Sequence, residues 1–276
     1  MAKITASEVN KLRQMTGSGM MDCKNALVEA EGDFDKAIEI LRKKGQKVAA
    51  KRGDREANEG LIISVADESG KKGVITALTC ETDFVAKNAD FNDVATKIAN
   101  IALNSGVKSI DELKSQSFDG NGLTIGDKVL EMVGKIGEKM DVTALDFIEA
   151  DTVVAYNHPG NQVASLVGLN ASGHAEIGRD VAMQIAAMAP VAVDKEGVSQ
   201  AIIEKEIEIG KDLARQEGKP EEMVEKIAMG KLNKFFKEST LLNQAFIKEN
   251  KKSVGQYLKE IDSNLTVTEF KRHSLG

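Results

Sequence analysis

The stretch that decides the fold runs from residue 61 to residue 103: LIISVADESGKKGVITALTCETDFVAKNADFNDVATKIANIAL. Residues 61–66 (LIISVA) and 74–80 (VITALTC) are rich in branched apolar side chains, and the polar segment DESGKKG separates them. Two such runs joined by a glycine-bearing turn read as a β-hairpin. The period then changes. From about 91 to 103, Phe91, Val94, Ala95, Ile98 and Ala102 recur at helical spacing, with Asp90 as the expected N-cap.

The same order returns downstream. Residues 153–156 read as a strand, NHPGN as a turn, 163–169 as a strand, and a helix follows with Val181, Ala182, Ile185 and Ala186 on one side. The two helices share a signature: Asp93, Val94, Ala95, Ile98 and Ala99 recur as Asp180, Val181, Ala182, Ile185 and Ala186. A repeated hairpin-then-helix order predicts a duplicated α+β core.

Upstream, three short helices are expected. Thr5 and Glu8 form a capping-box pattern before the first, which carries Val9, Leu12 and Thr16 on one face. After Gly17 and Gly19 the second places Met20, Cys23, Leu27 and Ala30 on a stripe. Asp33 caps the third, with Phe34, Ala37, Ile38 and Leu41 on its apolar face and a stop expected near Gly45. Helices this short need one another to bury those faces, which predicts an independent bundle. The charged stretch 47–59 reads as a linker.

Between the repeats come a polar loop at 115–122, a helix at about 125–136 and a strand near 142–148. After the second repeat, SQAIIEKEIEIGKDLARQEGKPEEMVEKIAMGKLNKFF breaks at EGKP into two helices that would run antiparallel. This helical hairpin, at about 194–236, either protrudes or lies flat on the core. If it protrudes, Ile203, Ile207, Met223 and Ile227 are its exposed stripe. The tail at 253–276 is weakly patterned. The expected units are 1–54, 55–150 and 151–276.

The chain has 276 residues, 42% apolar and 29% charged, with 4% aromatics and no Trp. Such a core must rest on aliphatic side chains. A net charge of −6 argues against a dedicated nucleic-acid binder. The local cations Arg42, Lys43, Lys44, Lys47, Lys51 and Arg52 read as a solvated helix end. Cys23 and Cys80 form no CxxC pair, and no secretory signal or long apolar run is present; a reduced, cytoplasmic protein is expected. His158, His174 and His273 lack metal-ligand spacing, and no Walker A, HExxH or strand-borne GxGxxG occurs. The expectation is a binding protein, with no enzyme chemistry, cofactor or metal.

Two segments resemble the signature motifs of the elongation factor Ts family. One is LRQMTGSGMMDCKNALVEAEGDFDKAIEILRKKG, residues 12–45; the other is CETDFVAKNADF, residues 80–91. KIGE at 135–138 and GKPEEMVEKIAMGKLNKFF also fit that family's layout, although this chain ends EFKRHSLG where members usually continue through a glycine-containing segment. The resemblance implies a guanine nucleotide exchange factor for elongation factor Tu, in its GDP-bound and nucleotide-free forms. It implies a bundle similar to ubiquitin-associated domains, and no direct contact with nucleic acid or membrane. It also implies partner contacts at Thr82, Asp83, Phe84 and Val85, and further contacts at Met20, Met21, Lys24, Ile136, Gly137 and His158.

The residues themselves leave alternatives open. Phe84, in or beside a loop, is a partner wedge or a loop anchor. Asp83 is a contact or a turn residue. Met20 packs in the bundle or meets a partner, whereas Met21 falls off the stripe beside Lys24. Gly137 is an ordinary helix stop as well as a candidate contact. His158 is a hairpin tip or a contact. Weak or no homodimerisation is expected of the helical hairpin, because two arms with few apolar residues can cover each other. Rival functions are a ribosome-associated or chaperone-type adaptor, separable by identifying the bound protein, and an enzyme in the core, separable by turnover without any GTPase.

Overall fold

The computed structural model describes residues 4–120 and 122–275. The expected outer limits at residues 1 and 276, and position 121 of the polar loop, lie outside the described residues. The fold is α+β.

Three helices open the chain: α1 (Ala6–Thr16), α2 (Met20–Glu29) and α3 (Phe34–Lys51). Thr5 and Glu8 exchange the two bonds of a capping box, and Gly17 ends α1 at φ 66°, where a Cβ would be strained. Asp33 caps α3. Val9, Leu12, Cys23, Ala26, Leu27, Ala37 and Leu41 close on one another as the bundle's own apolar cluster.

Two expectations for this region are corrected. The third helix does not stop near Gly45 but continues to Lys51, and Gly45 is buried within it. Mid-helix glycine costs about 0.5–1 kcal/mol relative to alanine, so a tertiary contact must repay it. That contact is the crossing with α7 (Ile125–Ile136), where Gly45 faces Gly134. Nor is 47–59 a free linker. Val48 and Ala49 pack on the core, and Lys139 Nζ donates to the carbonyls of Gly53 at 2.7 Å and Arg55 at 2.9 Å.

The first repeat comprises β1 (Glu59–Ala66), β2 (Lys72–Cys80), α4 (Asp83–Ala86), α5 (Ala89–Ser105), α6 (Ile110–Lys114), α7 and β3 (Met140–Glu149). Its antiparallel sheet has the order β1-β2-β3. The second comprises β4 (Thr152–Asn157), β5 (Val163–Leu169), α8 (Ala175–Met188), α9 (Gln200–Gln216), α10 (Glu221–Ser239), β6 (Ala245–Phe246), β7 (Glu249–Ser253), α11 (Val254–Ile261) and β8 (Val267–Ser274). Its main sheet has the order β4-β5-β8, so each repeat is a hairpin, a helix and a later third strand. The weakly patterned tail thus supplies a helix and a strand. Most of β8 is only partly buried, so its sequence (VTEFKRHS) lacks clean alternation; pairing with β5 defines it.

The layers run helix, sheet, sheet, helix. On β1, Leu61 and Ile63 face α5, while Ile62 turns to the other sheet and meets Ala164 with Ile75, Ala77 and Ala144. Burial on both faces explains why β2 reads as a continuous apolar run. Val94, Ala95, Ile98 and Ala99 of α5 are buried, as are their counterparts Val181, Ala182, Ile185 and Ala186 of α8. The N-cap of α5 is Asn88, not Asp90; Asp90 instead pairs with Lys135 at 2.9 Å.

The helical hairpin protrudes, with α9 and α10 packed chiefly against each other. Gly210 lies against Ala228, and Ala214, Val224 and Leu232 are buried between the arms. The exposed stripe differs from the expected one. Ile203, Ile207 and Ile227 are half-buried, Met223 is exposed as expected, and Ile209, Leu213 and Met229 are exposed with it.

Candidate functional site

The site grows from the end of β2. Cys80 is buried and its thiol donates to the Thr82 carbonyl at 3.2 Å; burial pushes its pKa up to about 12, so it stays a thiol. Glu81 accepts from Arg52 Nη1 at 2.8 and 2.9 Å and from the Lys139 amide at 2.6 Å. Those donors, the Lys139 amide first, hold its carboxyl below the usual range. Thr82 Oγ1 donates to Glu138 Oε1 at 2.7 Å and its backbone amide to Glu138 Oε2 at 3.1 Å.

Residues 83–86 then form a single helical turn, α4, rather than an irregular loop. Asp83 pairs with Lys87 at 2.6 Å, and this bond holds its carboxyl below the usual range. Ala86 is buried and Val85 packs partly on the core. Phe84 projects with 83% of its surface exposed, whereas Phe91, seven residues on, is fully buried. The loop-anchor reading requires Phe84 to pack, and it does not. A phenylalanine in water forgoes about 1.5–3 kcal/mol of burial, which a partner can recover.

Ile136 ends α7 and is half-buried; Gly137 closes the helix at φ 82° and hands the chain to Glu138. The end of α7 is thereby bonded to the Thr82 turn. On the bundle, Met20 and Met21 are 56% and 62% exposed, and Lys24 is exposed. Met20 stands outside the cluster that Cys23 and Leu27 join, since it opens α2 beyond the packed turns.

Sequence reasoning missed Met15, which is 56% exposed at the end of α1. The signal was there: it lies off the stripe of Val9, Leu12 and Thr16. Met15 lines a groove of about 410 Å³ between bundle and core with Val94, Phe118, Met132 and Ile136. Asp90, Asp93, Lys97, Lys128, Glu131 and Lys135 line it too, so bundle and α7 share one groove of mixed character.

His158 is exposed at the tip of the β4–β5 hairpin, its Nδ1 3.1 Å from the Tyr156 hydroxyl. That turn is tied to β1: the Ile62 amide donates to the Asn161 carbonyl at 2.7 Å, and Gln162 Nε2 donates to Glu59 at 3.3 Å. Glu59 pairs with Cys80 in the sheet, so the His158 turn lies at the end from which Thr82 and Phe84 emerge.

A braced frame that holds apolar side chains out in water has the geometry of a protein-docking surface. The family model that matches residues 81–276 is described as Elongation factor TS. Over 278 residues, covering 100% of both chains, the sequence is 56% identical to Elongation factor Ts of Christiangramia forsetii and 53% identical to that of Flavobacterium psychrophilum. It is 42% identical over 289 residues, again 100% of both chains, to Elongation factor Ts of Chlorobium phaeobacteroides. The chain belongs to the elongation factor Ts family.

Proposed function

We propose that this chain is a guanine nucleotide exchange factor that binds elongation factor Tu, both GDP-bound and nucleotide-free, and promotes GDP release during translation elongation. The observation that carries this reading is the projection of Phe84 from a braced helical turn in a member of this family. Asp83 and Phe84 enter near the partner's phosphate and magnesium site. Met20, Met21 and Lys24 dock on its nucleotide-binding domain. Ile136, Gly137 and His158 extend the contact along the same end of the core. Thr82 and Val85 contact the partner beside Asp83 and Phe84 and also hold the turn.

The energetics require breadth. A nucleotide held at nanomolar affinity corresponds to about −12 kcal/mol. Burying one Phe returns about 1.5–3 kcal/mol, so Phe84 alone does not evict GDP. A wide interface must stabilise the partner's low-affinity state. By linkage, nucleotide then weakens binding of the factor by the same ratio that the factor weakens binding of nucleotide. Exchange is thus reversible and needs no bond chemistry from this chain.

The units that act are a bundle similar to ubiquitin-associated domains at 1–54 and two core repeats at 55–150 and 151–276. The working complex is one-to-one, with weak or no homodimer, in the cytoplasm, without direct contact to nucleic acid or membrane. Among the described residues no helix is long and apolar enough to cross a membrane. The test is release of labelled GDP from elongation factor Tu with and without the chain. Acceleration at substoichiometric amounts is expected; an unchanged rate rejects the reading.

A further inference from the structure

The ladder between β2 and β3 ends with Cys80 opposite Met140. Side chains continue it one step further. Glu81 accepts the Lys139 amide at 2.6 Å, and Glu138 accepts the Thr82 amide at 3.1 Å. Each segment lends a carboxylate to the other's backbone, so 81–82 and 138–139 are latched reciprocally. Glu138 adds a second bond, accepting the Thr82 hydroxyl at 2.7 Å. One carboxylate thereby fixes both the backbone and the rotamer of Thr82.

This use of Thr82 is unusual for its position. Thr82 is the N-cap residue of α4, where a threonine oxygen ordinarily accepts from the helix's free amides, yet its side chain makes no capping bond. The hydroxyl is given to Glu138 instead. The turn it begins is only four residues long, too short to persist without tertiary support. Phe84 itself is too exposed to be oriented by packing. Its direction therefore depends on how the turn is held: by Val85 and Ala86 on the core and the Asn92 amide on the Ala86 carbonyl at its far end, and by residues 81 and 82 at its start.

We propose that Glu138 is a positioning residue for the exchange surface: through its two bonds to Thr82 it sets the direction in which Phe84 projects. This rests on the exchange reading above. Preorganisation of a single exposed side chain lowers the ordering cost of binding. Loss of two charge-assisted bonds is sufficient to slow exchange about tenfold at subsaturating factor.

The test uses the full chain and labelled GDP on elongation factor Tu. Glu138→Ala is expected to slow release about tenfold, with Glu138→Gln, which keeps one acceptor, between it and wild type. Thr82→Val, a smaller perturbation of the fold, is expected to lose part of the rate as well. In a Phe84→Ala background, Glu138→Ala is expected to add no further loss, because its effect runs through Phe84. Wild-type rates for Glu138→Ala, or a loss that persists undiminished in the Phe84→Ala background, overturn the proposal. A second readout is independent of the partner. The chain has no Trp, so Phe84→Trp gives a single reporter. Its fluorescence anisotropy is expected to gain a fast local component when Glu138→Ala is added, and unchanged decay overturns the proposal. Wild-type protein without effect on GDP release would reject the exchange reading alone, since the anisotropy result stands apart from it.

Discussion

Gly45 and Gly134 face each other where α3 crosses α7: a Cβ placed on Gly134 would lie 3.2 Å from the Gly45 Cα. A Cβ on Gly45 would collide with the carbonyl oxygen of Leu130. Two helices approach this closely only where both lack side chains. The consequence reaches the site. α3 belongs to the bundle by its first half and to the core by its second, so Met20 and Met21 are carried on the same framework as Phe84.

The first prediction concerns this crossing. Gly45→Val is expected to destabilise the full chain by about 1–3 kcal/mol, the usual cost of overpacking. Chemical denaturation checks it. An unchanged midpoint would mean that bundle and core are not locked together in solution.

Phe84→Ala separates function from stability. With the side chain projecting into water, the substitution is expected to change stability by no more than about 0.5 kcal/mol. GDP release should nevertheless slow. Thermal melting and exchange measured on the same preparation decide it; a large fall in the melting midpoint would restore the anchor role that the geometry denies.

Glu131 gives a pH dependence. Its side chain, 10% exposed, lies under α3, with Lys128 Nζ at 3.6 Å and Arg42 Nε at 4.0 Å. Burial pushes its carboxyl above the ordinary value, and the two cations only partly oppose this. A carboxyl raised on folding contributes stability that is full below its unfolded pKa, about 4.3, and is lost as pH rises through the folded value. Glu131→Gln cannot ionise and escapes that loss. It is expected to melt a few degrees above wild type at pH 7, with the difference vanishing below about pH 4. Melting curves at the two pH values check it; a variant less stable than wild type at pH 7 would show that the pairing with Arg42 and Lys128 outweighs burial.

The helical hairpin is expected to self-associate weakly or not at all. Its buried residues are mostly small, and its arms are joined across by Lys211 to Glu225 at 3.3 Å and Arg215 to Glu221 at 2.7 Å. Ile209, Leu213, Met223 and Met229 remain exposed amid charged side chains. Light scattering over a concentration series tests this. A dimer persisting at nanomolar concentration contradicts it, and its disappearance with Ile209→Lys and Leu213→Lys would place the interface on this stripe.

Much of this molecule is written locally. The hairpin-and-helix repeat was legible because a sheet buries residues of alternate parity and a helix buries every third or fourth. The capping box at Thr5 and Glu8, the Asp33 cap and the Gly137 stop are likewise contacts within a few residues. Phe84 stood out because it falls between two patterned stretches. What misled was local chemistry redirected by distant partners. Gly45 looks like a helix stop, yet it is a crossing point because Gly134 meets it. Asp90 looks like a cap, yet Lys135 takes it. β8 looks featureless, and its partner strand defines it.

The sequence by itself determined the repeat, the first two helices and the start of the third, the two arms of the helical hairpin and the exposed turn, because each depends on the period of apolar residues and on caps a few residues apart. Only the tertiary structure decided that α3 reaches into the core, that Met15 shares a groove with Ile136, and that Glu138 grips Thr82. Those facts depend on pairs 56 to 121 residues apart in the chain, and no local pattern encodes which distant carboxylate or glycine a given residue will meet.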